Sequence, residues 1–235
     1  MLKNLIKNFG PIKKTLDKFN SLHARTLFVS EALSDLTPGA ELLDAGCGSQ
    51  QFRRYCAHLN YKGQDFGQYK ADQKNMFESE NNIRSEIGYQ YGNLDYIGNI
   101  WEIKEKSAHF DAILCTEVFE HITYPIDTVG EFARLLKSGG KLILTVPSNC
   151  LRHMDPFFYY SGFSDRWLET ILGENGFSID RIDSVGDYYS WMAGELWRTI
   201  RTHSIFIIPL VLPALVYFMV KKPTEISTNT LVGGY

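Results

Sequence analysis

The sequence has few cysteines, and none of them stands at the spacing of a metal site. It contains no C-x-x-C pair and no histidine doublet near a cysteine. Neither a zinc site nor a disulfide framework is therefore indicated, and free thiols in a reducing compartment are the simpler interpretation. The four cysteines are Cys47, Cys56, Cys115 and Cys150.

Glycine, proline and positive charge are also limited. The 19 glycines and 8 prolines among 235 residues are too few for a collagen-like or low-complexity chain. The 24 basic and 27 acidic side chains give a net charge of -3, which argues against a globally basic nucleic-acid-binding protein. Residues 1–20 contain no continuous apolar run of the kind found in a secretory signal. We therefore expect a cytoplasmic protein.

The apolar content, 44% of the residues, is sufficient for one elaborated domain with a real core. From residue 40 onward, short apolar runs alternate with stretches of helical periodicity. Nearly continuous apolar strands separated by helices are typical of a parallel sheet covered on both faces. The predicted fold class is α/β, with a doubly wound, Rossmann-like, mostly parallel sheet. We predict strands at about 41–45, 61–66, 94–98, 110–116, 141–146 and 177–185, and helices at about 51–59, 126–138 and 164–175.

We predict a single domain made of four segments. They are basic N-terminal helices at 1–36, the α/β core at 37–185, a helical, apolar insertion at 186–228 and a last strand at 229–235. Residues 1–25 alone carry a charge of +5, with apolar residues on one helical face. This pattern is explained by a solvated basic face, or by attraction to an anionic membrane surface.

Three features converge at the carboxyl edge of the predicted sheet. Asp44, Gly46 and Gly48 follow the first strand, where glycines permit a tight turn and a close approach of a ligand to the backbone. Asp65 ends the second strand, where a carboxylate can accept hydrogen bonds from both hydroxyls of a ribose. The fourth strand ends at residues 115–117, so Cys115 and Glu117 would form the floor of the same crevice.

Three segments resemble the class I S-adenosylmethionine-dependent methyltransferases. They are Leu42–Gly48 (LLDAGCG), Phe110–Ile122 (FDAILCTEVFEHI) and Leu135–Pro147 (LLKSGGKLILTVP), together with the acid at Asp65. The resemblance is nearest to the small-molecule branch that includes ubiquinone-pathway and polysaccharide-cluster enzymes, and it covers about residues 35–185. It implies a seven-stranded sheet whose last strand is antiparallel, with S-adenosylmethionine as cofactor across the strand ends.

The resemblance also implies roles for residues of the cofactor site. Gly46 and Gly48 would approach the methionine part of the cofactor and Asp44 would support their loop, while Asp65 would hold the ribose. Phe66 would cover the adenine, and Asn99 and Ile100 stand where the family contacts the adenine. Cys115 and Glu117, at the floor of the crevice, complete the expected cofactor contacts. The chain departs from the family pattern at Asn99, where an acid is usual, and at Gln50, where a third glycine is usual.

His121 is the candidate catalytic base, because a hydroxyl acceptor must lose a proton and histidine suits that step at neutral pH. The alternative is a histidine that packs or caps at a helix start. No second carboxylate or histidine stands near it at metal-ligand spacing in the sequence, so no metal is expected. In the family architecture the aromatic loop after the fifth strand covers the acceptor. His153, Tyr159 and Tyr160 are therefore the candidate substrate contacts.

The leading hypothesis is methyl transfer to a hydroxyl of a small molecule, such as a sugar, a lipid-linked saccharide or a quinone precursor. A non-catalytic module of the same fold, which binds S-adenosylmethionine or a partner protein, is the alternative. A nucleic-acid methyltransferase is disfavoured, because no basic stripe is evident and the Asn/Asp-Pro-Pro-aromatic motif is missing after the fourth strand. A nicotinamide-binding enzyme is disfavoured because the helix after the loop lacks the expected glycine.

The insertion contains seventeen uncharged residues, 204–220, with prolines at Pro209 and Pro213. Aromatic and basic residues border this run, which is typical of an element at a membrane interface. Packing on the domain itself or on a second subunit is the alternative, so homodimer contact and peripheral contact with the inner membrane face, both through residues 187–220, stay open. A transmembrane helix is disfavoured, because the chain must return to complete the sheet. We expect a peripheral element that shields the acceptor pocket.

Overall fold

The computed structural model describes residues 21–69 and 90–230, and within them five strands form one sheet in the order β3-β2-β1-β4-β5. Every neighbouring pair of these strands is parallel. The strands are β1 (Glu41–Ala45), β2 (Asn60–Asp65), β3 (Tyr96–Ile97), β4 (Phe110–Thr116) and β5 (Leu136–Thr145). The predicted α/β class with a mostly parallel sheet is confirmed.

The described helices lie between and after these strands. They are α1 (Ser21–Ser34), α2 (Pro125–Leu135), α3 (Asp165–Glu174), α4 (Tyr188–Thr202), α5 (Ile208–Val220) and α6 (Glu225–Thr230). Short 3-10 turns occur at Arg53–Tyr55, Phe119–His121 and Ile205–Ile207. Helix α3 begins where the sequence predicts, because the Ser164 hydroxyl accepts a hydrogen bond from the Trp167 amide at 3.1 Å and so caps the helix. The basic segment expected at residues 1–20 lies outside the described residues.

The chain divides into two compact units. Val29–Ile182 contains the whole sheet, and the other unit is made of the chain before and after it. In the sheet unit, the side chains of β1 and β4 are buried on both faces, as continuous apolar strands require. The largest fully buried rings of this core are those of Phe110, Phe119 and Phe132.

The unit outside the sheet is built on a helical hairpin. Helices α4 and α5 share a small core formed by Ala193, Ile200, Val211 and Leu215. Asp187 caps α4, since its carboxylate accepts a hydrogen bond from the Ser190 amide at 2.9 Å. Among the described helices, none combines the length and the apolar character that crossing a bilayer would require.

Seven strands were expected, and this number is wrong for the described residues, which form five strands and include no antiparallel strand. The predicted sixth strand at 177–185 is irregular chain. Its apolar residues stand at 177, 179, 182 and 185, so the alternation breaks at Asp180-Arg181 and no single face stays apolar.

The prediction of a last strand at 229–235 is also wrong for the two residues of it that the structure describes. Residues 229 and 230 belong to helix α6, and residues 231–235 lie outside the described part of the chain. The helix begins there because Thr224 and Ser227 exchange hydrogen bonds, each side-chain oxygen accepting from the other residue's amide at 2.8 and 3.1 Å. Such a reciprocal pair satisfies amides at a helix start and favours helix over strand.

Two further boundaries differ from the prediction. The helix expected at 51–59 is reduced to the 3-10 turn Arg53–Tyr55, and β2 begins at Asn60. The helix expected to end at Gly139-Gly140 ends at Leu135, and Leu136 opens β5 directly. The two glycines instead lie in β5, where its pairing with β4 is irregular between Phe110 and Ala112.

Adding one methyl group at Gly46 should destabilise the fold. Its φ is +74°, and a Cβ would collide with the side chain of Val118. We expect Gly46→Ala to lower the free energy of unfolding by about 2 kcal/mol or more, measured by urea denaturation. Gly173→Ala is the matched control, because Gly173 lies in α3 with open space around it and alanine there should stabilise by up to about 1 kcal/mol. Equal stabilities of the two variants would contradict this assignment.

Candidate functional site

The glycine loop after β1 is held by backbone hydrogen bonds to β2. The amides of Gly46 and Cys47 both donate to the carbonyl of Gln64, each at 2.9 Å. The Gly48 amide donates to Asp65 Oδ2 at 2.9 Å. Gly46 and Gly48 adopt φ values of +74° and +49°, which glycine tolerates best. The loop is therefore tied to the end of the neighbouring strand, where a ligand would lie.

Asp65 is a buried carboxylate at the carboxyl end of β2. It is 5% exposed, and its Oδ1 also accepts a hydrogen bond from the Gly67 amide at 3.3 Å. Burial raises the pKa of this carboxyl, while the amide bonds act in the opposite direction. Each oxygen retains lone-pair capacity, so the group can still accept hydrogen bonds from vicinal hydroxyls.

Asp44 lies deeper, at the last position but one of β1. It is 2% exposed and accepts a hydrogen bond from the Tyr61 hydroxyl at 2.6 Å. Desolvation raises the pKa of Asp44 to about 7, although the Tyr61 bond favours the ionised form. The sequence did not identify this partner, because Tyr61 lies 17 residues away, on the neighbouring strand β2.

The expected adenine contacts lie at the same edge of the sheet. The register pairs Asp65 with Ile97, the last residue of β3, and Asn99 follows two residues later. Asn99 donates to Glu102 at 2.6 Å, and Ile100 is buried. Ile97 itself is 75% exposed, and it is an apolar contact candidate that the sequence reasoning missed.

Phe66 belongs to an aromatic cluster beside Asp65. Its ring meets Tyr69 and Phe157 edge-on, with centroids 5.1 and 4.8 Å apart. Phe157 comes from the loop after β5, so this cluster joins the expected cofactor side to the expected acceptor side. Nothing in the local sequence around Phe157 indicates this long-range contact.

Gln50 fills the place where the family pattern has a third glycine. Its backbone is left-handed, with φ of 58°. Its side chain donates to the Asn93 carbonyl at 2.6 Å and accepts from Arg53 at 2.8 Å. Any Cβ on Gly63 or Gly92 would collide with that side chain. The glutamine is therefore accommodated by glycines elsewhere in the chain.

Cys115 and Glu117 lie at the end of β4. Cys115 is fully buried, and desolvation raises the pKa of its thiol well above the usual value. Glu117 has a φ of 51° and accepts a hydrogen bond from the Thr145 hydroxyl at 3.1 Å. Cys115 is thus a neutral, buried thiol, whereas Glu117 offers a carboxylate at the sheet edge.

His121 is held in one tautomer. Its Nδ1 lies 2.6 Å from the Phe157 carbonyl, which can only accept, so Nδ1 carries the proton and Nε2 has the lone pair. Desolvation, followed by the proximity of His153, lowers the pKa of His121 to about 4. Glu120 Oε1 is 3.6 Å from Nε2. The ring is therefore neutral at pH 7 and can accept a proton or ligate a metal.

The fold brings a second histidine and a carboxylate to His121. Glu120, His121 and His153 offer ligand atoms that all lie within 4.8 Å of one another. The premise that no such group stands near His121 is therefore wrong, because His153 is distant in sequence and Glu120 is adjacent. Among the described residues this trio could hold a divalent cation.

The other acceptor-side residues lie around the same turn. The amides of Tyr159 and Tyr160 donate to the Glu120 carbonyl at 2.8 and 3.3 Å. The Tyr160 hydroxyl donates to the Thr123 carbonyl at 3.2 Å, whereas the Tyr159 side chain is 47% exposed. His153 stacks edge-on with His121 at 4.7 Å. All three expected substrate contacts are thus near the candidate base.

The titration of His121 predicts an effect of pH on stability. Its pKa is about 4 when folded and 6.5 ordinarily, so the unfolded chain binds more protons between these values and stability falls as pH falls. In wild type, Asp44 opposes this, since its raised pKa makes the folded state bind more protons between pH 3.8 and about 7. As the pH falls from 6.5 to 4, we expect the free energy of unfolding of His121→Gln to rise by up to roughly 3 kcal/mol relative to that of wild type.

Asp44→Asn should change stability in the opposite direction over nearly the same pH range. Relative to wild type, this variant should lose stability as the pH falls from 7 to 4, because it lacks the group that takes up a proton in the folded state. Urea unfolding at half-unit pH intervals measures both differences. If the stability of each variant changed with pH in the same way as that of wild type, the pKa shifts assigned to His121 and Asp44 would be contradicted.

Comparison with known proteins identifies the family. A methyltransferase-domain family model matches residues 18–190, well over half of the chain. A ubiquinone biosynthesis O-methyltransferase from Xanthomonas oryzae pv. oryzae (strain PXO99A) is 30% identical over 138 residues, 58% of this chain and 53% of that protein. One from Maricaulis maris (strain MCS10) is 30% identical over 140 residues, 55% of this chain and 52% of that protein. The chain spans about half the length of these curated relatives.

Solved structures share the fold at low sequence identity. The YcgJ protein from Bacillus subtilis has a TM-score of 0.52 and 13% identity, with 88% of each chain covered. Phosphoethanolamine N-methyltransferase 2 from Haemonchus contortus, in complex with S-adenosyl-L-methionine, has a TM-score of 0.49 and 16% identity, covering 93% of this chain and 55% of that one. The predicted methyltransferase class is confirmed. The chain belongs to the methyltransferase-domain family.

Proposed function

We propose that this chain transfers the methyl group of S-adenosylmethionine to a hydroxyl of a small-molecule acceptor. The observation that carries the proposal is a neutral histidine, His121, whose unprotonated Nε2 is fixed by the bond from Nδ1 to the Phe157 carbonyl at 2.6 Å. A hydroxyl acceptor needs such a group, whereas methylation of an already ionised atom does not.

The proposed base and the cofactor loop are adjacent. The Cα of Gly46 packs against Val118, three residues before His121. The Phe66–Phe157 contact, with centroids 4.8 Å apart, connects the end of β2 to the carbonyl that orients His121. The acceptor oxygen would therefore enter between the loop and the histidine, where in-line approach to the sulfonium is the main requirement.

The cofactor supplies a strongly electrophilic methyl group when it is bound, and the chain supplies the binding groups and the base. The proposed binding groups are Gly46, Gly48 and Asp65, with Asp44 beneath the loop and Asn99 at the adenine side. Their arrangement fits the cofactor, since two buried carboxylates suit a cationic ligand that also carries ribose hydroxyls.

The low basicity of His121 favours a phenolic acceptor. A base of pKa about 4 cannot ionise an alkyl hydroxyl in advance, but it can take the proton as the new oxygen–carbon bond forms. A phenol, with a pKa of about 10 like that of tyrosine, needs less help than an alcohol. This preference agrees with the hydroxyl chemistry in the name of the curated relatives, the ubiquinone biosynthesis O-methyltransferases.

Glu120 supports the base in this proposal. It is 1% exposed, and its Oε1 lies 3.6 Å from His121 Nε2. A carboxylate at that distance stabilises the imidazolium that forms as the proton arrives. A metal-assisted variant of the reaction is the second candidate, because Glu120, His121 and His153 could instead bind a cation that polarises the acceptor oxygen.

Asp65 provides the test of cofactor binding. We expect Asp65→Ala to weaken S-adenosylmethionine binding at least about 100-fold in titration calorimetry, because two hydrogen bonds to a charged group are lost at roughly 1.5–3 kcal/mol each. Asp95→Ala is the matched control, since Asp95 also accepts a backbone bond, from Gly63 at 2.9 Å, but stands before β3. Unchanged affinity of the Asp65 variant would overturn its assignment.

His121 provides the test of catalysis. Mass detection of methylated products from a library of quinols, phenols and glycans first identifies an acceptor. With that acceptor, His121→Gln should lower turnover about 10²–10⁴-fold, while cofactor affinity stays within about twofold. His109→Gln is the matched control, because His109 precedes β4 at the opposite edge of the sheet.

The outcomes separate the two mechanisms. A loss below tenfold for His121→Gln, with full activity in a chelator, would exclude both a base and a metal ligand at this position. Loss of wild-type activity in the chelator, restored by added cation, would support the metal-assisted reaction instead. Absence of any methylated product, with the cofactor still bound, would support a non-catalytic module.

A further inference from the structure

Helix α5 has no polar face. Its residues Ile208–Val220 read IPLVLPALVYFMV, in which the Tyr217 hydroxyl is the single polar side-chain group. A helix on the surface of a water-soluble protein ordinarily has one apolar face and one charged face. Because α5 lacks the charged face, whichever side does not pack on the protein presents apolar groups outward.

One side of α5 packs inside its own unit. Val211 and Leu215 are 9% and 3% exposed, and they meet Ala193 and Ile200 of α4. Phe218 packs against the same small core. The hairpin therefore buries about one face of α5, and this packing leaves the opposite face without a partner in the described unit.

The opposite face forms a continuous apolar stripe. The stripe consists of Leu210, Pro213, Tyr217 and Val220, which follow one another at intervals of three and four residues and so share one side of the helix. Phe206, in the 3-10 turn just before α5, is counted with them. Phe206 is 88% exposed, Leu210 79% and Val220 72%. Large apolar residues are normally exposed singly, whereas a contiguous patch marks an interaction surface.

The charged residues next to the stripe in the chain, within residues 203–222, are positive. Lys221 and Lys222 follow α5 directly and are exposed, and Lys221 Nζ lies 4.8 Å from the centre of the Tyr217 ring. Residues 203–222 include no aspartate or glutamate. Apolar groups bordered by an aromatic ring and lysines are complementary to a bilayer surface that contains anionic phospholipids.

The geometry favours a position along the bilayer surface. Thirteen residues of helix extend about 20 Å, compared with about 30 Å of hydrocarbon. Pro213 has no amide hydrogen, so the Pro209 carbonyl lacks its helical donor, and both prolines are exposed. That carbonyl needs water or headgroups, which are present at the interface and absent from the hydrocarbon core.

We propose that the apolar stripe of α5 docks on the surface of an anionic phospholipid bilayer, with Lys221 and Lys222 at the lipid headgroups. A second copy of the chain is a poorer occupant, because the stripe offers no acid to pair with these lysines and no polar group to set a register. The proposal stands on the hairpin alone and is independent of the acceptor.

Vesicle sedimentation of the full chain tests the proposal. The wild-type protein should sediment with vesicles of equal parts phosphatidylglycerol and phosphatidylcholine, and at least about tenfold less with phosphatidylcholine alone. Phe206→Glu combined with Leu210→Glu should reduce binding at least about tenfold. Ile126→Glu with Ile179→Glu is the matched control, since it adds the same charge at exposed apolar residues of the sheet unit.

A second variant does not alter the apolar face. Lys221→Glu with Lys222→Glu should abolish the preference for phosphatidylglycerol, and an unchanged preference would overturn the role of these lysines. Wild-type protein that stays in the supernatant at low ionic strength would overturn the proposal. A dimer that becomes a monomer in the Phe206/Leu210 variant, by light scattering, would likewise overturn it in favour of a second copy. Thermal unfolding verifies that each variant is folded.

Discussion

The parallel pairing of β1 with β2 is the constraint on which the candidate site depends. Because Ala45 pairs with Gln64, the chain leaves both strands at the same edge, and the Gln64 carbonyl can receive the amides of Gly46 and Cys47. Asp65 is then the next residue of β2 and takes the Gly48 amide. A shift of this register would turn Asp65 to the other face of the sheet and leave the loop amides unpaired.

That constraint explains which parts of the fold follow from the sequence. Strands β1 and β4 are continuous apolar runs, and both were predicted within their observed bounds. The helix predicted at 164–175 is likewise observed as α3, and the Ser164 cap fixes its start. The predicted strand at 177–185 and the long helix at 51–59 failed, because each rested on a few apolar residues without a cap, and packing decides such segments.

The candidate site also contains residues that the sequence predicts and residues that only the structure identifies. Asp44, Gly46, Gly48 and Asp65 were predictable because one loop and one neighbouring strand position them all. His153 and Phe157 meet His121 across more than thirty residues, through contacts that no local pattern encodes. Their loop is tied to this site by the Glu120 carbonyl, which accepts the amides of Tyr159 and Tyr160. The acceptor side is therefore the part that required the three-dimensional structure.

The buried groups on the two sides respond to a cationic ligand in the same direction. Desolvation raises the pKa of Asp44 to about 7 and lowers that of His121 to about 4, so burial favours the neutral form of each. A positive charge bound at the glycine loop favours the deprotonated form of both groups. Asp44 would then ionise and stabilise the cation, while His121 would hold its Nε2 lone pair available. Under the proposed function, a cationic methyl donor would thus promote the protonation states that methyl transfer to a hydroxyl requires.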